Sequence, residues 1–225
     1  MNSKPFRLRP IFAPLVKFLA KIAIKMKITP NMVTWIMMFF AVVSAVGLLI
    51  WQSFLWFGIF VFITGLMDGV DGAIARLSGK ISKFGGFFDS TFDRLSEGVI
   101  YGSIVIYAQY YSIEYADSIS ILTAFCFLFS YLISYSRARA ELEVKNSKQI
   151  KTEPLVFNIG ILARSERLFY LFIMSVVVQF TSSLVLVILL SIYAFLTCLT
   201  FFQRFFTYKT YLEKISVTTT SHNLA

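Results

Sequence analysis

Four aspartates, Asp68, Asp71, Asp89 and Asp93, fall in or beside apolar stretches of this chain. A charged side chain at bilayer depth costs about 2.5 kcal/mol or more, so their placement calls for a purpose. Asp68 and Asp71 are three residues apart and Asp89 and Asp93 four apart, so each pair shares one face of a helix. Between the pairs lies a short basic stretch, Arg76 to Gly86, with Gly79, Lys80, Lys83 and Gly85. It predicts a hairpin that brings both pairs together. Converging carboxylates repel one another unless cations sit between them. Oxygen-only ligands select a hard divalent ion, Mg²⁺ or Mn²⁺, and four carboxylates suffice for two ions. Gly65, Gly69, Gly72, Ala73, Ala75, Gly85 and Gly86 leave room beside the acids for a bulky phosphate ligand. The competing reading makes the small residues a helix-packing surface and the acids ion partners of Arg76 and Arg94. Two ion pairs, however, do not require four acids in this pattern.

The elements that must position these acids follow from composition. Of the 225 residues, 57% are hydrophobic and only 15% charged, with a mean hydropathy of +0.74. A soluble domain of this size has too high a surface-to-volume ratio to hide that much apolar surface. Disorder, collagen and a disulfide scaffold are excluded as well, which leaves a bilayer as the solvent. Spans of about 20 apolar residues are expected near 32–51, 54–67, 87–111, 119–136, 168–180 and 184–205. The predicted fold is a single all-α membrane domain over 1–225 with six transmembrane helices. Residues 1–28 interleave Lys17, Lys21 and Lys25 with Leu15, Phe18 and Ile22, as an amphipathic helix on the membrane surface does. They lack the clean apolar core of a secretory signal. An interfacial helix is expected within the charged stretch 137–167, and residues 215–225 are expected to be a flexible tail. Cys126 and Cys198 read as small buried hydrophobes, and His222, the single histidine, needs no role.

Charge sets the orientation. The chain has 21 Lys and Arg against 12 Asp and Glu, for a net charge of +9. Apart from Arg94, every basic residue falls in the amino-terminal segment, the second and fourth loops or the carboxyl tail. The positive-inside rule therefore places both termini and the aspartate site in the cytoplasm, with the chain in the cell membrane. Anionic lipid headgroups or phosphorylated substrates suit such a chain better than nucleic acid.

The run Asp68-x₂-Asp71-Gly72-x₂-Ala75-Arg76-x₈-Gly85-x₃-Asp89-x₃-Asp93 resembles, at every fixed position, the signature of the CDP-alcohol phosphotransferases. Proteins of that family move a phosphatidyl-type group from a CDP-linked donor to an alcohol and release CMP. The resemblance implies that Asp68, Asp71, Asp89 and Asp93 bind metal and that Asp93 is also the general base. It further implies a CDP-binding set of Asn31, Thr34, Asp68, Asp71, Gly72, Ala75, Arg76 and Gly85, and a homodimer. Two arginine clusters, Arg137 with Arg139 and Arg164 with Arg167, bear on the acceptor. Arginine's planar fork suits phosphate, so four arginines point to a strongly anionic alcohol. The positive-inside rule alone would also put basic residues there. Their flanking segments look like those of the phosphatidylinositol-phosphate synthase branch, including archaeal enzymes that use CDP-archaeol. The resemblance thus implies CDP-diacylglycerol or CDP-archaeol as donor and inositol 1-phosphate as acceptor. Glycerol 3-phosphate, as in a phosphatidylglycerol-phosphate synthase, is the alternative acceptor. A divalent-cation transporter is the alternative outside enzymes, but the acids lie at one membrane face and the chain shows no internal repeat.

Overall fold

A proline preceded by a capping hydroxyl starts the first long helix. Thr29 accepts the Met32 amide at 3.3 Å, and Pro30 occupies the first helical position. The hydroxyl cap recurs without the proline: Ser53 caps the next helix through the Trp56 amide and Ser82 caps the one after through the Gly85 amide. The computed structural model describes residues 8–146 and 160–223, and these form seven helices. They are α1 (Arg9–Lys25), α2 (Pro30–Leu49), α3 (Phe54–Leu77), α4 (Lys83–Tyr110), α5 (Ala116–Asn146), α6 (Arg164–Gln179) and α7 (Ser183–Asn223). No strand occurs among the described residues.

The α3–α4 hairpin is central. α2 packs on both of its arms, α6 on α3, and α5 on α4 and α7. The main core joins Phe57 and Val61 of α3, Ile100 and Ile104 of α4, Leu171 of α6 and Leu190 of α7. Gly58 lets α6 approach closely, since a Cβ there would lie 2.7 Å from Ser175 Cβ. A second cluster seats Ala20 and Ala23 of α1 on Val70, Ala73 and Ile74 at the aspartate end of α3. The amphipathic amino-terminal helix thus docks through small residues, leaving Phe18, Ile22 and Lys21 exposed. Large apolar side chains also face outward along the helices, among them Trp35, Phe39, Ile121 and Phe195. That pattern suits lipid, not water.

Several boundaries differ from expectation. α3 runs ten residues past Met67, so Asp68, Asp71, Ala75 and Arg76 are helical. Helical hydrogen bonding lets the span continue into its charged end. α5 does not stop at Ser136 but continues to Asn146, and over 31 residues it is about 46 Å long. Arg137 and Arg139 therefore sit on a helix, where Arg137–Glu141 and Arg139–Glu143 pairs at i,i+4 support it. The expected interfacial helix within 137–167 is replaced by this extension up to Asn146, and 147–159 lie outside the described residues. The tail is likewise helical to Asn223, with Tyr208 and Ile215 of α7 packed on Ala140 and Val144 of α5. Cys126 is buried, but Cys198 is only partly so. By length and composition four segments can cross a membrane: Pro30–Leu49, Phe54–Leu77, Ala116–Val144 and Ser183–Glu213. α4 carries Asp89, Asp93, Arg94 and Glu97 in its first half, and α6 has only 16 residues, about 24 Å.

Candidate active site

Helical phase on α3 and α4 turns the two aspartate pairs toward each other. Asp68, Asp89 and Asp93 each offer a carboxylate oxygen, and these atoms all lie within 4.8 Å of one another. Asp71 stands apart from that triple. It is 4% exposed, and its Oδ2 accepts a 3.0 Å hydrogen bond from Thr34 of α2 while its Oδ1 accepts from the Gly72 amide. Asp93 Oδ1 is buried and receives no hydrogen bond, although the Arg164 guanidinium lies beside it as an ion partner. Three converging carboxylates, with the buried Asp93 Oδ1 receiving no hydrogen bond, fit a hard divalent cation.

The aspartates open onto a cavity of about 1030 Å³. At one side it is walled by Phe12 and Val16 of α1, Phe62 of α3 and Phe169 of α6; at the other by charged groups. Of the residues expected to hold CDP, Asp68, Asp71, Gly72 and Arg76 line it. Arg76 folds back over Gly72, where a Cβ would lie 3.2 Å from Arg76 Nη1. Thr34 acts behind the wall through Asp71. Asn31 and Gly85 lie together where α2 meets the start of α4, the Asn31 Oδ1 being 3.6 Å from a Cβ built on Gly85. Ala75 is half-buried on α3 and does not line the cavity.

The four arginines separate. Arg164, at the first position of α6, pairs with Asp68 and Asp93 and donates to Glu97 at 3.2 Å and Ser96 at 3.3 Å. Arg167, one turn on, is 2% exposed and donates to Glu97 at 3.3 Å. Arg137 lines the cavity while paired with Glu141. Arg139 is 62% exposed, pairs with Glu143 and does not line the cavity. Three charged groups outside the expected binding and catalytic sets join the site. Arg94 lines the cavity and donates to Ser134 of α5 at 2.6 Å. Arg204 of α7 lines it from a buried position. Glu97 sits behind the arginines. Its spacing, four beyond Asp93 and eight beyond Asp89, places it on their helical face and was visible in the sequence. Arg204 carried no such signal, since it is a lone charge at the end of an apolar run.

Residues 27–192 match the family model for CDP-alcohol phosphatidyltransferase. The chain belongs to that family. Archaetidylinositol phosphate synthase from Pyrococcus horikoshii is 32% identical over 212 residues, spanning 92% of this chain and 97% of that protein. Phosphatidylinositol phosphate synthase from Corynebacterium glutamicum is 32% identical over 127 residues, 56% of this chain and 58% of its own length. The crystal structure of Mycobacterium tuberculosis phosphatidylinositol phosphate synthase with CDP-DAG bound aligns at a TM-score of 0.70. Its identity is 25%, and the match covers 87% of this chain and 94% of that one. The same protein in complex with manganese and citrate also gives 0.70. As a CDP-alcohol phosphatidyltransferase the chain is a metal-dependent membrane transferase, and the family membership sets aside the transporter alternative.

Proposed function

We propose that this enzyme transfers a diacylglycerol- or archaeol-type phosphate group from a CDP-linked lipid to a hydroxyl of inositol 1-phosphate, releasing CMP. The observation that carries the acceptor is the placement of Arg164, which meets Asp68 and Asp93 at a cavity that Arg94, Arg137, Arg167 and Arg204 also line. A surplus of guanidinium groups beside a nucleophile's place suits an alcohol that carries its own phosphate. The relatives named for inositol phosphate products support the same choice.

Asp68, Asp71, Asp89 and Asp93 would hold two divalent ions, Mg²⁺ or Mn²⁺. The chemistry a bound pair supplies is neutralisation of the donor pyrophosphate and of the departing CMP. The remaining roles fall to the chain. Asp93 takes the proton of the acceptor hydroxyl while the new oxygen–phosphorus bond forms and the bond to the CMP oxygen breaks. Arg76, folded over Gly72, lies beside the nucleotide, with Asn31, Thr34, Ala75 and Gly85 shaping that side. Phe12, Val16, Phe62 and Phe169 offer apolar surface to the lipid. The four helices long and apolar enough to span, joined by α4 and α6, would make six crossings of the cell membrane. Residues 50–53, 111–115 and 180–182, at one end of the bundle, hold no Lys or Arg. Both termini and the site would therefore be cytoplasmic. The outward apolar faces leave room for a homodimer.

Purified protein, with Mg²⁺ or Mn²⁺ and either CDP-archaeol or CDP-diacylglycerol, tests the reading against inositol 1-phosphate, glycerol 3-phosphate, free inositol and serine. CMP release together with a product mass of lipid plus inositol phosphate is expected. Turnover of glycerol 3-phosphate alone would return the enzyme to the phosphatidylglycerol-phosphate branch.

A further inference from the structure

Glu97 is buried at 2% exposure and does not line the cavity, yet it contacts three arginines that do. Its Oε1 accepts from Arg164 Nε at 3.2 Å and from Arg167 at 3.3 Å. Its Oε2 accepts from Arg94 at 3.2 Å and from Ser130 Oγ at 2.6 Å. The geometry points to Glu97 as a positioning residue that fixes the guanidinium cluster facing the acceptor, a reading that rests on the acceptor site proposed above.

The reason lies in the arithmetic of charge and of bonds. Three guanidinium groups packed together repel, and in a site of low dielectric the repulsion is strong. One carboxylate behind them offsets one unit of that charge, while Asp68 and Asp93 meet Arg164 on its open side. Glu97 also holds each arginine by a chosen nitrogen. Arg164 gives its Nε to Glu97 and its Nη2 to Ser96, which leaves Nη1 turned toward Asp68 and Asp93. Arg94 is held between Glu97 and Ser134 of α5. A single carboxylate thus sets the aim of side chains from α4 and α6, and Ser130 ties it to α5. A phosphate fork needs that aim, because bidentate contacts fail when the guanidinium plane rotates.

Glu97→Gln tests the role, since amide and carboxylate have one shape but the amide cannot balance the arginines. Apparent KM for inositol 1-phosphate is expected to rise tenfold or more. KM for the CDP-lipid should stay within about twofold, as Glu97 bonds to arginines and Ser130 but to none of the four aspartates or the aromatic wall. In an Arg164→Ala background, whose acceptor KM is already raised, adding Glu97→Gln should change that KM less than threefold, because the group it aims is gone. Glu97→Asp keeps the charge and should recover part of the loss. If Glu97→Gln fails to fold, Glu97→Asp carries the test: its shorter reach should raise the acceptor KM and spare the lipid KM. Equal changes in both KM values, or effects of Glu97→Gln and Arg164→Ala that multiply independently, would overturn the positioning role. An unchanged acceptor KM in Arg164→Ala alone would overturn the acceptor site itself, and the positioning role with it. Wild-type preference for glycerol 3-phosphate would overturn only the choice of alcohol, and the same cycle can be run with that substrate.

Discussion

At the scale of single residues, the roles proposed for the aspartates differ with position. Asp93 carries a buried oxygen that receives no hydrogen bond and faces the arginine side of the cavity. Asp93→Asn preserves size while removing charge and base, so CMP release is expected to fall by about 10² or more. CDP-lipid binding, followed by fluorescence or calorimetry, should survive in part, whereas Asp68→Asn should weaken it severely. Wild-type turnover in Asp93→Asn would remove the base assignment. The arginines can be ranked by geometry. Charge-assisted bonds to phosphate contribute about 1.5–3 kcal/mol, enough for a change of tenfold or more. Arg164→Ala should therefore raise the acceptor KM at least tenfold. Arg139→Ala should shift it less than twofold, since Arg139 is 62% exposed and engaged with Glu143 away from the cavity. Sequence spacing gave these two arginines equal standing. Only the courses of α5 and α6 separate them.

At the scale of elements, the site depends on how closely α6 approaches α3, because α6 delivers Arg164 and Arg167 to acids on α3 and α4. Gly58 is the contact that permits this: a Cβ there would come 2.7 Å from Ser175 Cβ and 3.2 Å from the Phe172 carbonyl oxygen. Neither neighbour is a flexible side-chain end, so the helices must separate. Gly58→Ala is expected to destabilise the protein by about 1–3 kcal/mol, read as a lowered unfolding temperature in detergent. Activity should drop with it even though residue 58 lies well below the aspartates. Helix ends were the least legible part of the sequence. The charged run after Ser136 looked like a loop, yet i,i+4 ion pairs and packing on α7 carry α5 ten residues farther. Gly160 shows the same limit. Its φ of +114° and the 2.8 Å from its Cβ position to Thr200 Cγ2 tie the segment before α6 to α7, a contact no local pattern announces.

At the scale of the whole molecule, two outcomes follow from placing an acidic site at one end of an apolar bundle. Chelation with EDTA should abolish CMP release, and added Mg²⁺ or Mn²⁺ should restore it; undiminished turnover after chelation would contradict a metal-held donor. The proposed topology of six crossings with a cytoplasmic site also predicts opposite labelling of two engineered thiols. In sealed right-side-out vesicles of a Cys-free background, a membrane-impermeant maleimide should modify Ser112→Cys. Lys80→Cys should react only after permeabilisation. The reverse pattern would invert the topology.

What the sequence determined by itself is whatever depends on one residue or on near neighbours along a helix. The cost of apolar surface in water is paid residue by residue, so composition alone assigned the chain to the bilayer. The periods of three and four at Asp68, Asp71, Asp89 and Asp93 predicted shared faces, and the short loop between them predicted their convergence. Pairings between distant segments were decided only by the tertiary structure. Arg164 reaches Glu97 across 67 residues and Asp68 across 96, and it does so because α6 packs on α3. That contact is made by Gly58, Gly65, Leu168 and Ser175, residues whose types are common in any membrane helix. Their meaning comes from the surfaces they meet, and a sequence carries no record of which surfaces those will be.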